Sequence, residues 1–291
     1  MGNLERMGST TLRIWRAGVY LAWTLAMMPA QALGLLLHCG WVTRFPAFYH
    51  RQCCRILGIK VKRLGEPVAA RPVLFAANHT GYLDIAVLGS LIPGSFVAKA
   101  EVAHWPLFGW LAKLQRCVFV DRQVRSTAQQ RDAIAERLAA SDALILFPEG
   151  TSGDGNFVLP FKSALFSTVF NRESDTPIAV QPVSVAYTRL DGLPIGRPLR
   201  PFFAWYGDMT MPRHLWHVLG LGVIEVVVEF HPPATVSDFA SRKELSQFCY
   251  DRISAGVGRH LSGRDAEPAF SPQLQRDPLT TEIPASAAVG G

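Results

Sequence analysis

The sequence contains little charge. Asp, Glu, Lys and Arg make up 18% of its 291 residues, whereas 49% are hydrophobic. A disordered or fibrous chain is therefore excluded, because such chains have too little apolar surface to build a core. The positive mean hydropathy of +0.16 indicates that part of the apolar surface contacts lipid. The length is sufficient for one large domain or two small ones.

Cysteine is scarce, and the five residues present are an odd number whose spacing fits neither a zinc site nor a redox motif. We interpret them as small buried hydrophobic side chains in a reducing compartment. This interpretation places the globular part of the protein in the cytoplasm.

The sequence also lacks a dense run of Lys and Arg, and it contains no nucleic-acid-binding motif, although its formal net charge is +6. A nucleic-acid partner is therefore not expected. A basic protein of this kind suits a phospholipid bilayer or an acidic carrier as its partner.

One long stretch, Ala17–Leu37, contains no charged residue. As a helix it would be roughly 31 Å long at ~1.5 Å per residue, close to the ~30 Å thickness of the hydrocarbon layer. A cleaved signal peptide is disfavoured because apolar residues resume directly after the cleavage-like Ala30-Gln31-Ala32. A single spanning helix and a hairpin that dips into one leaflet, broken at Pro29, both remain open.

Basic residues lie on both sides of this stretch, with Arg13 and Arg16 before it and a heavier cluster after it. Positive charge at both ends favours the hairpin, because positive residues prefer the cytoplasmic side of a membrane. Both arrangements predict a protein of the inner (cytoplasmic) membrane whose remaining chain faces the cytoplasm.

From Ile59 onward, short apolar runs alternate with helical segments, a pattern that predicts an α/β fold with a mixed sheet flanked by helices. We expect three parts, which are an N-terminal membrane-embedded helical segment (1–58), a globular domain (59–263) and a flexible tail (264–291). The predicted strands are Val73–Ala77, Ser95–Ala98, Cys117–Val120, Ala143–Phe147, Ile178–Tyr187 and Gly222–Phe230. The predicted helices are Tyr82–Ile92, Pro106–Leu114, Ser126–Ala140, Ser163–Phe170 and Ser241–Leu261.

The first chemically informative segment follows the strand Val73–Ala77, where His79 is separated from Asp84 by four residues. Ligand crevices of α/β sheets lie at the carboxyl ends of strands. A carboxylate on one imidazole nitrogen would leave the other nitrogen free to accept a proton from a hydroxyl. Alone, the pair also fits a structural hydrogen bond.

A second segment, Phe147–Thr151, follows the strand Ala143–Phe147 and opens a glycine-rich polar loop. With both segments present, the sequence resembles the lysophosphatidate and glycerol-phosphate acyltransferase family. The matching blocks, in the family's order, are Asn78-His79-x4-Asp84, Lys99-Ala100-Glu101 with Phe119-Val120-Asp121-Arg122, Phe147–Thr151 with Leu159-Pro160-Phe161-Lys162, and Val180-Gln181-Pro182-Val183-Ser184.

The resemblance implies an acyltransferase of lipid biosynthesis in which His79 is the general base and Asp84 orients it. The implied donor is a thioester, either acyl-CoA or acyl carrier protein, so neither a metal nor another cofactor is expected. The implied acceptor is a lysolipid, and the product is a diacyl membrane lipid. The residues implied in substrate binding are Asn78, Arg122 for an anionic head group, Glu149, Gly150 and Thr151 for the acceptor pocket, and Pro182 near the acyl donor.

The sequence departs from the family pattern at Ser152, where members that act on lysophosphatidate commonly carry an Arg that contacts phosphate. A serine hydroxyl does not match phosphate as a guanidinium does. We therefore expect lyso-ornithine lipid as the acceptor, with 1-acylglycerol-3-phosphate next. Two alternatives stay open, which are a non-catalytic lipid-binding membrane protein and a thioester hydrolase that uses the same His-Asp pair on water.

Overall fold

The computed structural model describes residues 8–120, 134–170 and 177–263. Arg122 and the tail at 264–291 lie outside the described residues. The predicted helix Ser126–Ala140 is described only from residue 134, and residues 134–139 are helical.

Nine strands of the described chain form one mixed sheet. The strands are β1 (Ile59–Leu64), β2 (Val73–Ala77), β3 (Ser95–Lys99), β4 (Val118–Val120), β5 (Ala143–Leu146), β6 (Ala179–Leu190), β7 (Leu193–Pro194), β8 (Ile224–Phe230) and β9 (Ala234–Thr235). Their order in the sheet is β1-β8-β6-β2-β5-β3-β4, with β7 and β9 also pairing with β6. The strands β6, β2, β5, β3 and β4 run parallel, whereas β8 is antiparallel to β6. Helices flank this sheet, which confirms the predicted fold class.

The helices of the described chain include two near the N-terminus and several that pack on the sheet. They are α1 (Thr10–Leu36), α2 (Phe45–Leu57), α3 (Leu83–Leu91), α4 (Phe108–Leu114), α5 (Ser167–Phe170), α6 (Met211–Leu219) and α7 (Arg242–Leu261). Short 3-10 turns connect several of them, including Ala100–His104 before α4.

Strand β2 lies in the middle of the sheet, and all five of its residues are buried. Successive side chains of a strand point to opposite faces. Phe75 therefore packs into the core that contains α3, whereas Leu74 packs into the core that contains α7. The sheet is covered on both faces, as expected for parallel strands.

Helix α1 runs without interruption through Pro29, so of the two arrangements that the sequence left open, the hairpin broken at this proline is wrong. The chain turns after α1 instead, and α2 packs back against it, with Trp23 against Phe48. The helix has its polar residues inside and its apolar residues outside. The buried residues are Arg13, Arg16, Thr24, Gln31 and Gly34, and the exposed large ones are Ile14, Trp15, Leu21, Leu25, Leu33 and Leu36.

Arg16 anchors α1 to the globular domain. Its guanidinium donates hydrogen bonds to the backbone carbonyls of Leu219 (3.3 Å), Leu221 (2.6 Å) and Gly222 (3.2 Å), at the end of α6. A cation is favourable there because Leu219 is the last residue of the helix, where carbonyls carry partial negative charge and need donors, and the other two carbonyls follow directly after it. Arg16 is thus used inside the protein, and not as the lipid-flanking charge that the sequence suggested.

Candidate active site

The two chemically informative segments meet at one edge of the sheet. Strands β2 and β5 are parallel neighbours, with Ala76 in register with Leu146. Both strands therefore end side by side, and the turn after β2 lies next to the loop after β5. This edge is where an open α/β sheet places its ligands.

His79 and Asp84 form the expected pair. Nδ1 of His79 lies 2.9 Å from Oδ2 of Asp84, and the ionised carboxylate accepts a hydrogen bond from the Nδ1–H group. The His79 ring stacks on the ring of Phe147, with 4.0 Å between centroids, and its side chain is 20% exposed. This arrangement fixes the tautomer and leaves Nε2 for a ligand.

Asp84 is fully buried but accepts five hydrogen bonds. The backbone N–H groups of Thr80 (2.6 Å) and Gly81 (3.0 Å) and Nδ1 of His79 donate to Oδ2, whereas the hydroxyls of Thr80 (2.8 Å) and Tyr187 (2.8 Å) donate to Oδ1. Burial alone would raise the pKa of Asp84. The positive charge and hydrogen bond of His79, together with the hydrogen bonds from Thr80 and Gly81, outweigh the effect of burial and hold this pKa below its usual value. The carboxylate therefore stays charged beside the imidazole.

Glu149 holds the backbone of the site in place. Its Oε1 accepts a hydrogen bond from the N–H of His79 (2.7 Å), and its Oε2 accepts one from the N–H of Leu159 (2.9 Å). Burial raises the pKa of Glu149 to about 8. Both oxygens are thus engaged with protein backbone, and Glu149 shapes the site through the loop that it ties to His79.

Asn78 and Pro182 have their contacts inside the sheet. The Asn78 side chain donates to the carbonyl of Val185 (2.9 Å) and accepts from its N–H (2.7 Å), so it bridges β2 and β6 and is only 3% exposed. The carbonyl of the buried Pro182 accepts from the N–H of His231 (3.0 Å). Neither Asn78 nor Pro182 is among the described residues that line the cavity at the site.

The loop after β5 does reach the cavity, through Gly150, Thr151 and Ser152. Gly150 has a φ of 66°, a left-handed conformation that favours glycine, and its N–H donates to the carbonyl of Phe147. Because that N–H is already hydrogen-bonded, Gly150 sets the shape of the loop but provides no backbone hydrogen-bond donor for a ligand. The hydroxyl of Ser152 donates to the carbonyl of Trp205.

A cavity of about 860 Å³ extends from His79 to the N-terminal helices. Most of its lining is apolar, as in sites that hold hydrocarbon groups. Helices α1 and α2 form part of its wall, with Tyr20, Met27 and Met28 from α1 and Phe45 and Cys53 from α2. The described structure thus joins the His-Asp pair to a large apolar space.

Two parts of the site escaped the sequence analysis. Tyr187 supports Asp84 from β6, and the N-terminal helices contribute to the cavity. The sequence pattern of β6 could have placed Tyr187 on the inner face of the sheet. Side chains two residues apart on a strand point to the same face, and Val183, Val185 and Tyr187 all belong to the same core. The sequence offered no comparable signal for the helices.

The chain is similar in sequence to known acyltransferases. Residues 59–186 match the family model described as Acyltransferase. A lyso-ornithine lipid O-acyltransferase from Brucella abortus (strain 2308) is 42% identical over 264 residues, covering 89% of this chain and 99% of that protein. A lyso-ornithine lipid O-acyltransferase from Rhizobium meliloti (strain 1021) is 39% identical over 268 residues, covering 91% of this chain and 92% of that protein.

The fold is also similar to a solved structure. The crystal structure of a 1-acyl-sn-glycerophosphate acyltransferase from Thermotoga maritima superposes with a TM-score of 0.61 at 18% identity, covering 86% of this chain and 95% of that chain. At this identity the similarity establishes the fold alone.

Proposed function

Since this chain belongs to the acyltransferase family and is therefore an acyltransferase, we propose that its acceptor is a lysolipid, with lyso-ornithine lipid favoured over 1-acylglycerol-3-phosphate. The observation that carries the proposal is the His79 imidazole, which is fixed by Asp84 on one nitrogen and lines a large apolar cavity. The two lyso-ornithine lipid acyltransferases that align with most of this chain support the choice of acceptor.

The geometry supports a direct transfer in which the acceptor supplies the nucleophile. Nε2 of His79 takes the proton of the lysolipid hydroxyl. At the same time, the oxygen of that hydroxyl attacks the carbonyl carbon of the thioester, and a C–O bond forms. Collapse of the tetrahedral intermediate breaks the C–S bond. The thiolate leaves and takes the proton from the imidazolium of His79. Asp84 stabilises the positive charge of the imidazolium until this second proton transfer.

The proposed donor is acyl-CoA or acyl carrier protein. The carbonyl of a thioester is already activated, so the reaction needs a base and orientation but no metal or other cofactor. Both donors are acidic, and the basic protein suits either one. The apolar cavity is suited to the acyl chain.

The loop after β5 favours an acceptor without phosphate. Residue 152 is a serine, and its hydroxyl is already hydrogen-bonded to the carbonyl of Trp205. This position therefore supplies no guanidinium to a phosphate, whereas bidentate guanidinium contacts are among the strongest that phosphate receives. The zwitterionic head group of lyso-ornithine lipid does not need that contact.

The proposed location is the cytoplasmic face of the inner membrane. Helix α1 is long and apolar enough to cross a membrane, and its large apolar side chains point outward. An apolar face of this size on a protein surface fits a lipid environment. The bilayer is thus the proposed partner of α1, and it also supplies the acceptor.

The test is an acyl-transfer assay in mixed micelles with labelled acyl thioester and purified protein, with lyso-ornithine lipid, lysophosphatidate or no acceptor. We expect labelled diacyl lipid with lyso-ornithine lipid and its loss in His79→Ala. A hydrolase would release free acid with or without a lysolipid. A carrier would bind lipid equally well before and after the substitution, without forming product.

A further inference from the structure

Two tryptophan rings form a corner next to the catalytic pair. The rings of Trp105 and Trp205 are perpendicular, with 5.9 Å between centroids and an angle of 88° between planes. Tyr82 packs on Trp205 at 6.1 Å. All three side chains line the same cavity as His79.

The polar groups of Trp205 and Tyr82 are hydrogen-bonded within the protein. The backbone N–H of Trp205 donates to the carbonyl of Thr80 (2.8 Å), and its indole N–H donates to the carbonyl of Met209 (2.7 Å). The hydroxyl of Tyr82 pairs with Nδ1 of His214 (2.7 Å), whose Nε2 bonds to a backbone carbonyl. The aromatic surfaces are therefore what Trp205 and Tyr82 offer to a ligand.

These hydrogen bonds also fix the corner relative to the base. Thr80 and Gly81 belong to the turn that connects His79 to Asp84, and a Cβ atom placed on Gly81 would lie 2.9 Å from the backbone nitrogen of Trp205. Such a contact is too close for a side chain, so only glycine permits this approach. A group bound against Trp205 would thus lie at a defined place beside the reacting hydroxyl.

A carboxylate lies on the same segment of chain. Glu101 belongs to the 3-10 turn Ala100–His104, which directly precedes Trp105, and it also lines the cavity. Tryptophan rings and a carboxylate that line one cavity are suited to a cation, because the face of an aromatic ring carries partial negative charge. Lys162 lines the cavity as well, and its charge suits a carboxylate on the same ligand.

We infer that Trp105, Trp205 and Glu101 bind the ammonium group of the acceptor's head group. The inference rests on the proposed function and specifies how this site selects its acceptor. A zwitterionic head group complements the tryptophan rings, the Glu101 carboxylate and the Lys162 ammonium together. Lysophosphatidate has no cation for the corner, and Ser152 supplies no guanidinium for its phosphate.

The test compares lyso-ornithine lipid with the same lipid acetylated on its free amine, which removes the positive charge but keeps the acceptor hydroxyl. The variants are Trp105→Leu, Trp105→Phe and Glu101→Gln. The matched control is Trp110→Leu, because Trp110 is 64% exposed and is not among the described residues that line the cavity.

We expect the wild type to prefer the free amine. Trp105→Leu should lower kcat/KM for the free amine by about 3- to 30-fold, the range that a cation–π contact gives, and change it less than about twofold for the acetylated lipid. Trp105→Phe should keep much of the preference, Glu101→Gln should reduce it, and Trp110→Leu should leave it unchanged.

Equal losses on both lipids in Trp105→Leu would overturn the inference, since a residue that only shapes the cavity does not distinguish the two. If Trp105→Leu fails to fold, an unchanged preference in Glu101→Gln overturns it instead. A wild type that uses both lipids equally well also overturns it but leaves the proposed function intact. A wild type that acylates lysophosphatidate and neither ornithine lipid would refute the proposed function, and the inference with it.

Discussion

The hydroxyl of Tyr187 donates a hydrogen bond of 2.8 Å to Oδ1 of Asp84, and it does so from β6, the strand next to β2. Asp84 thereby presents Oδ2 to His79 while its other oxygen is held from the opposite side. Burial raises the pKa of Tyr187 well above its usual value, so the phenol remains a donor throughout any practical pH range. The orientation of the base thus depends on a residue outside the turn that contains it.

Tyr187→Phe should lower the turnover of acyl transfer. Without this donor, Oδ1 of Asp84 loses one of its two hydroxyl partners, so the carboxylate orients the His79 imidazole less firmly. We expect kcat to fall about 3- to 10-fold, the value of one hydrogen bond of roughly 1 kcal/mol, while KM for the lysolipid stays near that of the wild type. An unchanged kcat with only a lower melting temperature would show that Tyr187 is merely structural.

His79→Ala should lower kcat by at least about 10²–10⁴-fold, the usual contribution of a general base, while the melting temperature stays near that of the wild type. Asp84→Asn should also be severely impaired, because an amide does not stabilise the imidazolium and presents an N–H₂ group to donors. The measurement is product formation under saturating lysolipid. Normal turnover in His79→Ala would exclude the mechanism.

Glu149 should make stability fall as the pH rises. Its pKa of about 8 in the folded protein exceeds the ordinary value of 4.5, so the folded state binds this proton more tightly than the unfolded chain does. The stabilisation is complete below about pH 4.5 and is lost as the pH rises through about 8.

Glu149→Gln removes this titration and leaves one of the two backbone N–H groups, at His79 or Leu159, facing an amide N–H₂ group. The variant should be less stable than the wild type, and the difference between their melting temperatures should narrow between pH 5 and pH 8.5. A difference that does not vary with pH would contradict the assignment.

Ser152→Arg should change the choice of acceptor. The substitution adds a guanidinium at the mouth of the cavity but removes the hydrogen bond to the carbonyl of Trp205. The ratio of kcat/KM for lysophosphatidate to that for lyso-ornithine lipid should rise about tenfold, the value of one charge-assisted hydrogen bond. Parallel changes with the two lipids would remove the reason for preferring lyso-ornithine lipid.

Arg16→Met should loosen α1 from the domain, since three carbonyls at the end of α6 lose their donor. We expect a loss of about 2 kcal/mol or more in stability and faster proteolysis of α1 in detergent. The control is Arg51→Met, which removes an exposed arginine from α2. Similar losses in the two variants would mean that Arg16 has no special anchoring role.

The sequence predicted much of the sheet, because its central strands are short apolar runs with clear boundaries. Strand β1 was missed because only Ile59 of its six residues is buried and half of them are basic, as suits an edge strand. The break at Pro29, one of the two arrangements that the sequence left open, does not occur. A proline costs helix stability locally, whereas packing against α2 and the domain stabilises α1 over its whole length.

The hydrogen-bonded pair of His79 and Asp84 could be predicted because both residues lie within one turn. The placements of Asn78 and Glu149 could not, since their partners are the backbones of Val185, His79 and Leu159, and only the folded sheet brings these together. A motif identifies such residues without saying whether their polar atoms face a substrate or the protein itself.

The participation of α1 and α2 in the cavity has a consequence for shortened forms of this enzyme. Removing residues 1–58 would remove the proposed membrane anchor and also part of the wall of the cavity that His79 lines. With the proposed thioester bound beside His79, water would then compete with the proposed lysolipid acceptor for the acyl group. A truncated enzyme should therefore hydrolyse part of its acyl donor to free fatty acid. The N-terminal helices would thus determine how much of the acyl group reaches the lysolipid and how much reaches water.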